Sequence, residues 1–530
     1  MKSHFLKIAG LGAMVLAVFG LGSCTKQLNR LPTNSITADQ AFSTPQGYKE
    51  ALAKVYGAFA LTSSNGPSSS DLGGIDAGTS DFLRMYWNAQ ELPTGEAVCA
   101  WNDPGLPDFH NMNWNSSNVM LMGLYSRLMF GITVCNSFIK QCNPSVVAGH
   151  GISGKDAQDI AEYSAEARFL RAYQYWALMD LFGNPPFVTD KDPIGTNFLP
   201  KQIGEDSLFN YIQSELLAIQ TELPQPRQNE YGRADEGADW ALLARLYLNA
   251  QVYTGTARYT DAITYSEKVM NAGYSLMPNY QNLFLADNNV NNPEIILPIN
   301  YDGIYTQNYG GTTFLVNSSV GADSAAAFGV PSGGWAGNRS TTGLTNLFPS
   351  PYGTPDQRAI FYGNDATINS IADFKQGLSV GKFKNITATG ALPPGAGTFC
   401  SVDFPLFRLA EQYLIYAEAV LRGGQGGDIN TAVHYINLLR ERAYGNSSGD
   451  ISSNQLTLPF ILDERGRELY WECFRRTDLV RFGDFTSGSY LWPWKGGVPT
   501  GTGAPSFMNL YPIPSADLLA NSNLKQNPGY

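Results

Sequence analysis

Apolar residues recur three and four positions apart in three separated runs, and each run predicts α-helices. The first covers residues 44–61, with Tyr48, Leu52, Val55 and Phe59 on one face. The second extends from about 119 to 273, with helices expected at 159–182, 207–223, 235–253 and 259–271. The 159–182 helix stops at Gly183-Asn184-Pro185-Pro186, a glycine and prolines that end a helix. The third run predicts helices at 406–421, 430–444 and 459–474. Between the second and third runs, over 274–403, the pattern dissolves into Gly, Asn, Ser, Thr and aromatics, with strand-like pieces such as 294–299. A structureless loop of that length does not belong inside a compact domain, so an irregular subdomain packed over the helices is expected. Residues 62–118 and 486–530 have the same character.

Three helical stretches, "AEARFLRAYQYWALMDLFG", "GADWALLARLYLNA" and "RLAEQYLIYAEAVLR", place Ala at close-packing positions with Leu, Tyr or Phe three or four away. The expected fold is mainly α: a tetratricopeptide-like helical scaffold with a loop-rich ligand-binding subdomain, although no clean 34-residue period is visible. Scaffold is assigned to about 35–61, 119–273 and 404–485. The loop-rich face is assigned to about 62–118, 274–403 and 486–530, all within one unit from residue 24 to 530.

The start of the chain predicts an address. Lys2 and Lys7 flank a short apolar stretch, 8–21, too short to span a bilayer and fitting a signal peptide at 1–23. It ends in Leu21-Gly22-Ser23-Cys24, a lipobox-like end that makes Cys24 the lipidation site and a lipid anchor the only membrane contact.

Composition narrows the partners. Charged residues are 15%, against about 25% in average domains, so hydroxyls, amides and rings must cover the surface. A net charge of −11 with no basic run excludes nucleic acid. Beyond Cys24 there are Cys99, Cys135, Cys142, Cys400 and Cys473, which leave disulfides and buried free thiols both open. His110, His150 and His434 have no zinc-ligand spacing, and no EF-hand-like calcium loop is present. No cofactor is expected and no metal ligands are assigned, with a Ca²⁺ on the acidic loops left open.

The stretch 92–114, "LPTGEAVCAWNDPGLPDFHNMNW", has neither helical nor strand period. It holds Trp101 beside a turn-forming Asn-Asp-Pro-Gly run. It is either a buried plug or a surface made to touch something flat and polar.

Five stretches together resemble the SusD/RagB family: 165–189, 407–424, "YINLLRERAYG" (435–445), "ILDERGRELYWECFRRTDLVRFGDF" (461–485) and "YPIPSADLLANSNLKQNPGY" (511–530). The resemblance implies an outer-membrane lipoprotein on the cell surface. Such a protein captures glycans, here best matched by starch or maltooligosaccharides, and delivers them to a TonB-dependent SusC-like transporter. It implies no enzymatic activity. From the likeness of 75–94 and 92–114 to starch-binding members, Trp101 is carried over as an aromatic platform, with Arg84 and Asp76 as hydrogen-bonding neighbours and Asn102 beside it. "YDGIYTQNYG" (301–310) offers Tyr305 and Tyr309, and "PSGGWAGNRS" (331–340) offers Trp335, with Asn338 and Arg339 behind it. Trp176, Trp240 and Trp471 lie in helical patterns and are read as packing.

Two other readings compete. A different glycan or nutrient would keep the same role. A glycoside hydrolase would need two carboxylates at a set separation, and Glu96, Asp103 and Asp108 could be nominated. The charges between Asp463 and Asp478 are read as structural pairs on a helix.

Overall fold

The computed structural model describes residues 38–193 and 198–530. The segment 1–23, Cys24 and the first residues of the 35–61 run lie outside the described residues. Twelve helices carry the architecture: α1 (Pro45–Ala60), α2 (Phe82–Glu91), α3 (Val119–Gln141), α4 (Gly154–Phe182), α5 (Glu205–Ile219), α6 (Glu236–Leu248), α7 (Tyr259–Met270), α8 (Gly311–Ser318), α9 (Leu409–Leu421), α10 (Ile429–Tyr444), α11 (Leu458–Leu469) and α12 (Arg475–Phe482). Local chemistry sets their ends. Thr44 caps α1 by accepting the Gly47 N–H at 3.2 Å, with Pro45 at the first helical position.

From α3 to α7 each helix packs on the next in sequence, and the succession continues from α7 to α9 and α10. This is the nearest-neighbour stacking of a helical repeat scaffold, and the fold is mainly α and tetratricopeptide-like. The contact faces are built on alanine: Ala165, Ala172 and Ala177 on α4, Ala241 and Ala244 on α6, and Ala410 and Ala417 on α9 are fully or almost fully buried. Helix α3 is long and apolar enough to cross a membrane, yet it packs inside the scaffold against α1 and α4.

Six short strands accompany the helices: β1 (Val98–Cys99), β2 (Ile295–Ile299), β3 (Asn338–Arg339), β4 (Phe361–Tyr362), β5 (Ser379–Val380) and β6 (Phe404–Arg408). All pair antiparallel: β1 with β3, β2 with β6, and β4 with β5. The bridge Ser340↔Leu378 joins the first and last of these pairs.

The differences from the sequence expectation have local causes. Helix α2 lies in a stretch read as loop. Arg84, Asn88 and Glu91 fall on one face at helical spacing, but all of its residues except Arg84 are buried. That face therefore turns into protein rather than water, and ten residues carry fewer than three turns of period. Residues 406–408 are strand β6, because Phe404 to Arg408 pair with β2 before α9 begins. The expected helix over 459–474 ends at Leu469. Trp471 and Cys473 take φ of 63° and 68°, a strained region for such residues. Two carboxylates hold them there: Glu96 accepts the Trp471 N–H at 3.0 Å, and Glu91 accepts the Cys473 N–H at 2.7 Å.

The charge cluster is structural, but its pairs are mainly tertiary. Glu464 and Glu468 of α11 meet Arg358 at 2.7 and 3.1 Å, and Glu468 also meets Arg408 at 2.7 Å and Arg442. Arg408 reaches Glu294 and Glu472 at 2.9 and 2.7 Å, and Lys382 reaches Glu472 at 2.6 Å. All of these side chains are buried. Arg358, Lys382 and Glu294 come from the irregular region and the others from the scaffold and the turn after it, so the network clamps one to the other. The five described cysteines beyond Cys24 are buried free thiols.

Asp239 on α6 is fully buried, and neither of its carboxyl oxygens has a hydrogen-bond partner among the described residues, although Gln220 is close enough to ease the burial. Burial pushes this carboxyl well above the ordinary carboxylate range. A raised acid destabilises the fold once pH exceeds the unfolded value near 3.8. Asp239→Asn is therefore expected to raise the melting temperature at pH 7 by roughly 2–4 °C, the response of a large domain to about 1 kcal/mol. The gain should vanish at pH 3.5; equal shifts at both pH values in thermal melts would show that ionisation is not the cause.

Candidate ligand-binding site

The site begins with a cap. Asp81, the N-cap of α2, accepts the Arg84 N–H at 2.9 Å and the Gly311 N–H at 2.7 Å. One buried carboxylate thus starts both α2 and α8 and sets the two side by side. Gly310 lies so close to Asp81 that a Cβ there would overlap its side chain.

Strands β1 and β3 bring the tryptophan loops together. Val98 pairs with Arg339 and Cys99 with Asn338, and the Ala100 N–H donates to the Gly337 carbonyl at 2.8 Å. Trp101 follows at once, its ring against Gly337, where a side chain would collide with it. Its indole N–H donates to the Trp335 carbonyl at 3.1 Å. The Trp335 loop is fixed from below. The N–H groups of Trp335, Ala336 and Gly337 donate to the carbonyls of Asn317, Val320 and Ser318 at 2.7, 2.9 and 2.9 Å. A Cβ at Gly334 would overlap the Val320 carbonyl oxygen. Gly334→Ala is accordingly expected to leave the fold intact but displace Trp335, with a shift in tryptophan fluorescence as the readout; an unchanged spectrum would contradict this.

The aromatic rings then form a chain. Trp335 lies 6.5 Å from Tyr309, tilted 44°, and Tyr309 lies 5.2 Å from Phe399, tilted 54°. Trp101 and Trp335 are half-buried and Tyr309 is 37% exposed. Tyr305 is 84% exposed and makes no ring contact among the described residues; Asp302 shapes its turn by accepting the Ile304 and Tyr305 N–H groups at 2.7 and 2.8 Å.

Arg84 stands behind the chain. Its guanidinium is 5.6 Å from the Trp101 ring and 4.9 Å from Phe314, and it donates to the Gly78 carbonyl at 3.3 Å. Burial lowers its proton affinity, with Asp103, Asp76 and Asp81 among the groups opposing the loss. Its Nε–H is buried without a partner. Asp76 is exposed and caps its own turn, accepting the Thr79 N–H at 3.2 Å. Asn102 is exposed and its amide makes no hydrogen bond to the described residues.

The structure thus gathers Trp101, Trp335, Tyr309 and Arg84, with Asn102 next to Trp101 and Asp76 joined through Gly78. Tyr305 sits free on the same loop as Tyr309. Phe399 was not legible in the sequence, because it lies in a Pro-, Gly- and Ala-rich stretch with no period. Asn338 and Arg339 are committed inward: Asn338 donates to Ser318 at 2.9 Å, and Arg339 donates to the Gln376 and Ile371 carbonyls at 2.6 and 2.8 Å. Of the carboxylates a hydrolase would use, Glu96 is buried and spent on the Trp471 backbone, and burial raises its proton affinity. Asp103 is exposed, and Asp108 accepts the Asn118 amide at 2.8 Å. A cavity of about 500 Å³ lies between α1 and β2, lined among others by Lys49, Tyr56, Leu297 and Ile299 and by none of these rings.

A helical repeat scaffold whose irregular loops gather aromatic rings around one arginine defines the class. The SusD family model matches residues 257–530. Starch-binding protein SusD of Bacteroides thetaiotaomicron is 36% identical over the full length of both chains. SusD-like protein P25 of Formosa agariphila is 27% identical over 72% of this chain and 76% of that one. A SusD superfamily protein from B. thetaiotaomicron superposes with a TM-score of 0.71 at 20% identity, covering 92% of this chain and all of that one. Surface glycan-binding protein A of the same species, solved in complex with laminarihexaose, gives 0.67 at 21% identity, covering 91% and 99%. This chain belongs to the SusD family.

Proposed function

We propose that the protein is a cell-surface glycan-binding lipoprotein. In this reading Cys24 carries the lipid, the chain faces outward from the outer membrane, and it passes oligosaccharides to a TonB-dependent SusC-like transporter without cleaving them. The observation that carries the reading is the run of rings Trp335, Tyr309 and Phe399, with Trp101 hydrogen-bonded to the Trp335 carbonyl and backed by Arg84. Sugar rings have apolar C–H faces and hydroxyl edges. Indole and phenol faces take the first; Arg84, Asp76 and Asn102 take the second.

The relative named for starch binding and identical at 36% over the whole chain supports an α-glucan ligand such as maltooligosaccharides. A chain of mutually tilted rings suits a curved glucan better than a flat one. Each stacked ring contributes on the order of 1 kcal/mol and each hydrogen bond about as much. Association costs remove several, so the dissociation constant is expected between about 10 μM and 1 mM. Tethering beside a transporter makes such weak binding sufficient.

Calorimetric titration of residues 25–530 with maltoheptaose, against xylan and mannan oligosaccharides, tests the reading. Heat with maltoheptaose alone is expected. Heat with another glycan alone would replace the α-glucan assignment. Shorter sugars appearing during the titration would reopen the hydrolase reading.

A further inference from the structure

Outside the aromatic chain, a second patch carries the same chemistry. Tyr352 is 57% exposed and Tyr362 38% exposed. They line a shallow pocket of about 300 Å³ together with Gln357, Gly353, Ala359 and Ile360. Gln357 is exposed, and its side-chain amide makes no hydrogen bond to the described residues. The Tyr352 ring touches no other ring among the described residues. Tyr362 is held instead: Lys384 donates to its hydroxyl at 2.7 Å, Phe328 lies 5.2 Å from its ring, and its ring covers Gly381, where a Cβ would overlap it. One fixed ring, one free ring and a free amide converge on a pocket with no role in the core.

The short strands tie this patch to the first site. β1 pairs with β3, the bridge Ser340↔Leu378 joins β3 to the start of β5, and β5 pairs with β4. The lateral order is therefore β1-β3-β5-β4. Trp101 follows β1 and Trp335 precedes β3, while Tyr362 is in β4. With neighbouring strands about 4.8 Å apart, Tyr362 lies roughly 10 Å across from β3 and roughly 14 Å from β1. Trp335 and Trp101 lie three or four residues further along those strands, so the two groups are on the order of 15–20 Å apart. That is within reach of one oligosaccharide chain and too far for one sugar.

We propose that Tyr352, Tyr362 and Gln357 form a second sugar-binding subsite, which takes a further unit of a long glycan whose first units lie on Trp101 and Trp335. The subsite rests on the glycan-binding reading above and makes the protein selective for long chains. Two weak subsites on one chain reinforce each other through effective concentration, so the second matters only for a ligand that reaches both.

Affinity electrophoresis of the full chain without its signal, in gels containing amylopectin, laminarin, xyloglucan or mannan, tests this alongside maltotriose calorimetry. The double variant Tyr352→Ala/Tyr362→Ala should bind the retarding polysaccharide about 5- to 10-fold more weakly than the unaltered protein, with unchanged maltotriose affinity. Trp101→Ala should lose both. Both tyrosines are at the surface, and a thermal melt checks that the fold is retained. Equal retardation of the double variant and the unaltered protein would overturn the subsite while leaving the first site standing. A parallel loss of maltotriose binding in the double variant would also overturn it, since the patch would then belong to the first site. An unaltered protein retarded by no polysaccharide would overturn the glycan reading and the subsite with it.

Discussion

Trp101→Ala is expected to weaken oligosaccharide binding by roughly 30-fold, about 2 kcal/mol, the cost typical of removing a buried aromatic anchor. Two losses add. The stacking face disappears, and so does the indole N–H that donates to the Trp335 carbonyl, so the second platform loses a lateral support. Trp101→Phe separates them: it keeps a face and removes the donor, and should fall between the two. Calorimetry on the three proteins with the ligand found above decides this. An affinity unchanged in Trp101→Ala would remove Trp101 from the site and leave Tyr309, Trp335 and Phe399 to explain binding.

Arg408→Ala is expected to be the most destabilising single change, costing about 3–5 kcal/mol. Arg408 faces Glu294, Glu468 and Glu472 at 2.9, 2.7 and 2.7 Å, and all are buried. Removing it leaves carboxylates without their shared cation, and the irregular region loses a clamp on the scaffold. The melting temperature should fall by about 10 °C, at the conversion of roughly 2–4 °C per kcal/mol for large domains, and ligand binding should weaken with it. A melting temperature within 2 °C of the unaltered protein would refute the clamp.

The same network fixes a pH dependence. Burial raises the Glu464 carboxyl, but the charges of Arg358, Arg467 and Arg440 reverse this and hold it down at about 2. Burial also opposes Glu468, and Arg442, Arg408 and Arg358 hold its carboxyl far below the ordinary range. Folded values lie below unfolded ones, so the stabilisation is full above about 4.5 and is lost as pH falls toward 2. Unfolding on acid titration in that window is the expected result.

The sequence by itself determined the helical scaffold. Amphipathic period, caps and glycine-proline stops are local signals, and α1, α4, α5, α7 and α10 fall within a few residues of where those signals put them. The family likeness and the Gly- and Asn-rich turns also singled out Trp101, Trp335, Tyr305 and Tyr309 as candidates, because helix packing does not account for rings on such turns.

Only the tertiary structure decided the rest. Helix α2 is short and buried on nearly every side, its Asn88, Gln90 and Glu91 included, so its polar face meets protein and not water. The turn through Trp471 and Cys473 depends on Glu96 and Glu91, some 380 residues away in sequence. Glu464 pairs with Arg467 on its own helix, as spacing suggests, but Glu464 and Glu468 also bind Arg358, Arg408, Arg440 and Arg442 from other segments, cations that spacing cannot reveal. Strand pairings of two residues each bring the Trp101 and Trp335 loops together and hold Tyr362 beside β5, while Phe399 meets Tyr309 by loop packing alone. Such short pairings leave no period in the sequence, and the contacts they create exist only once distant segments are packed together.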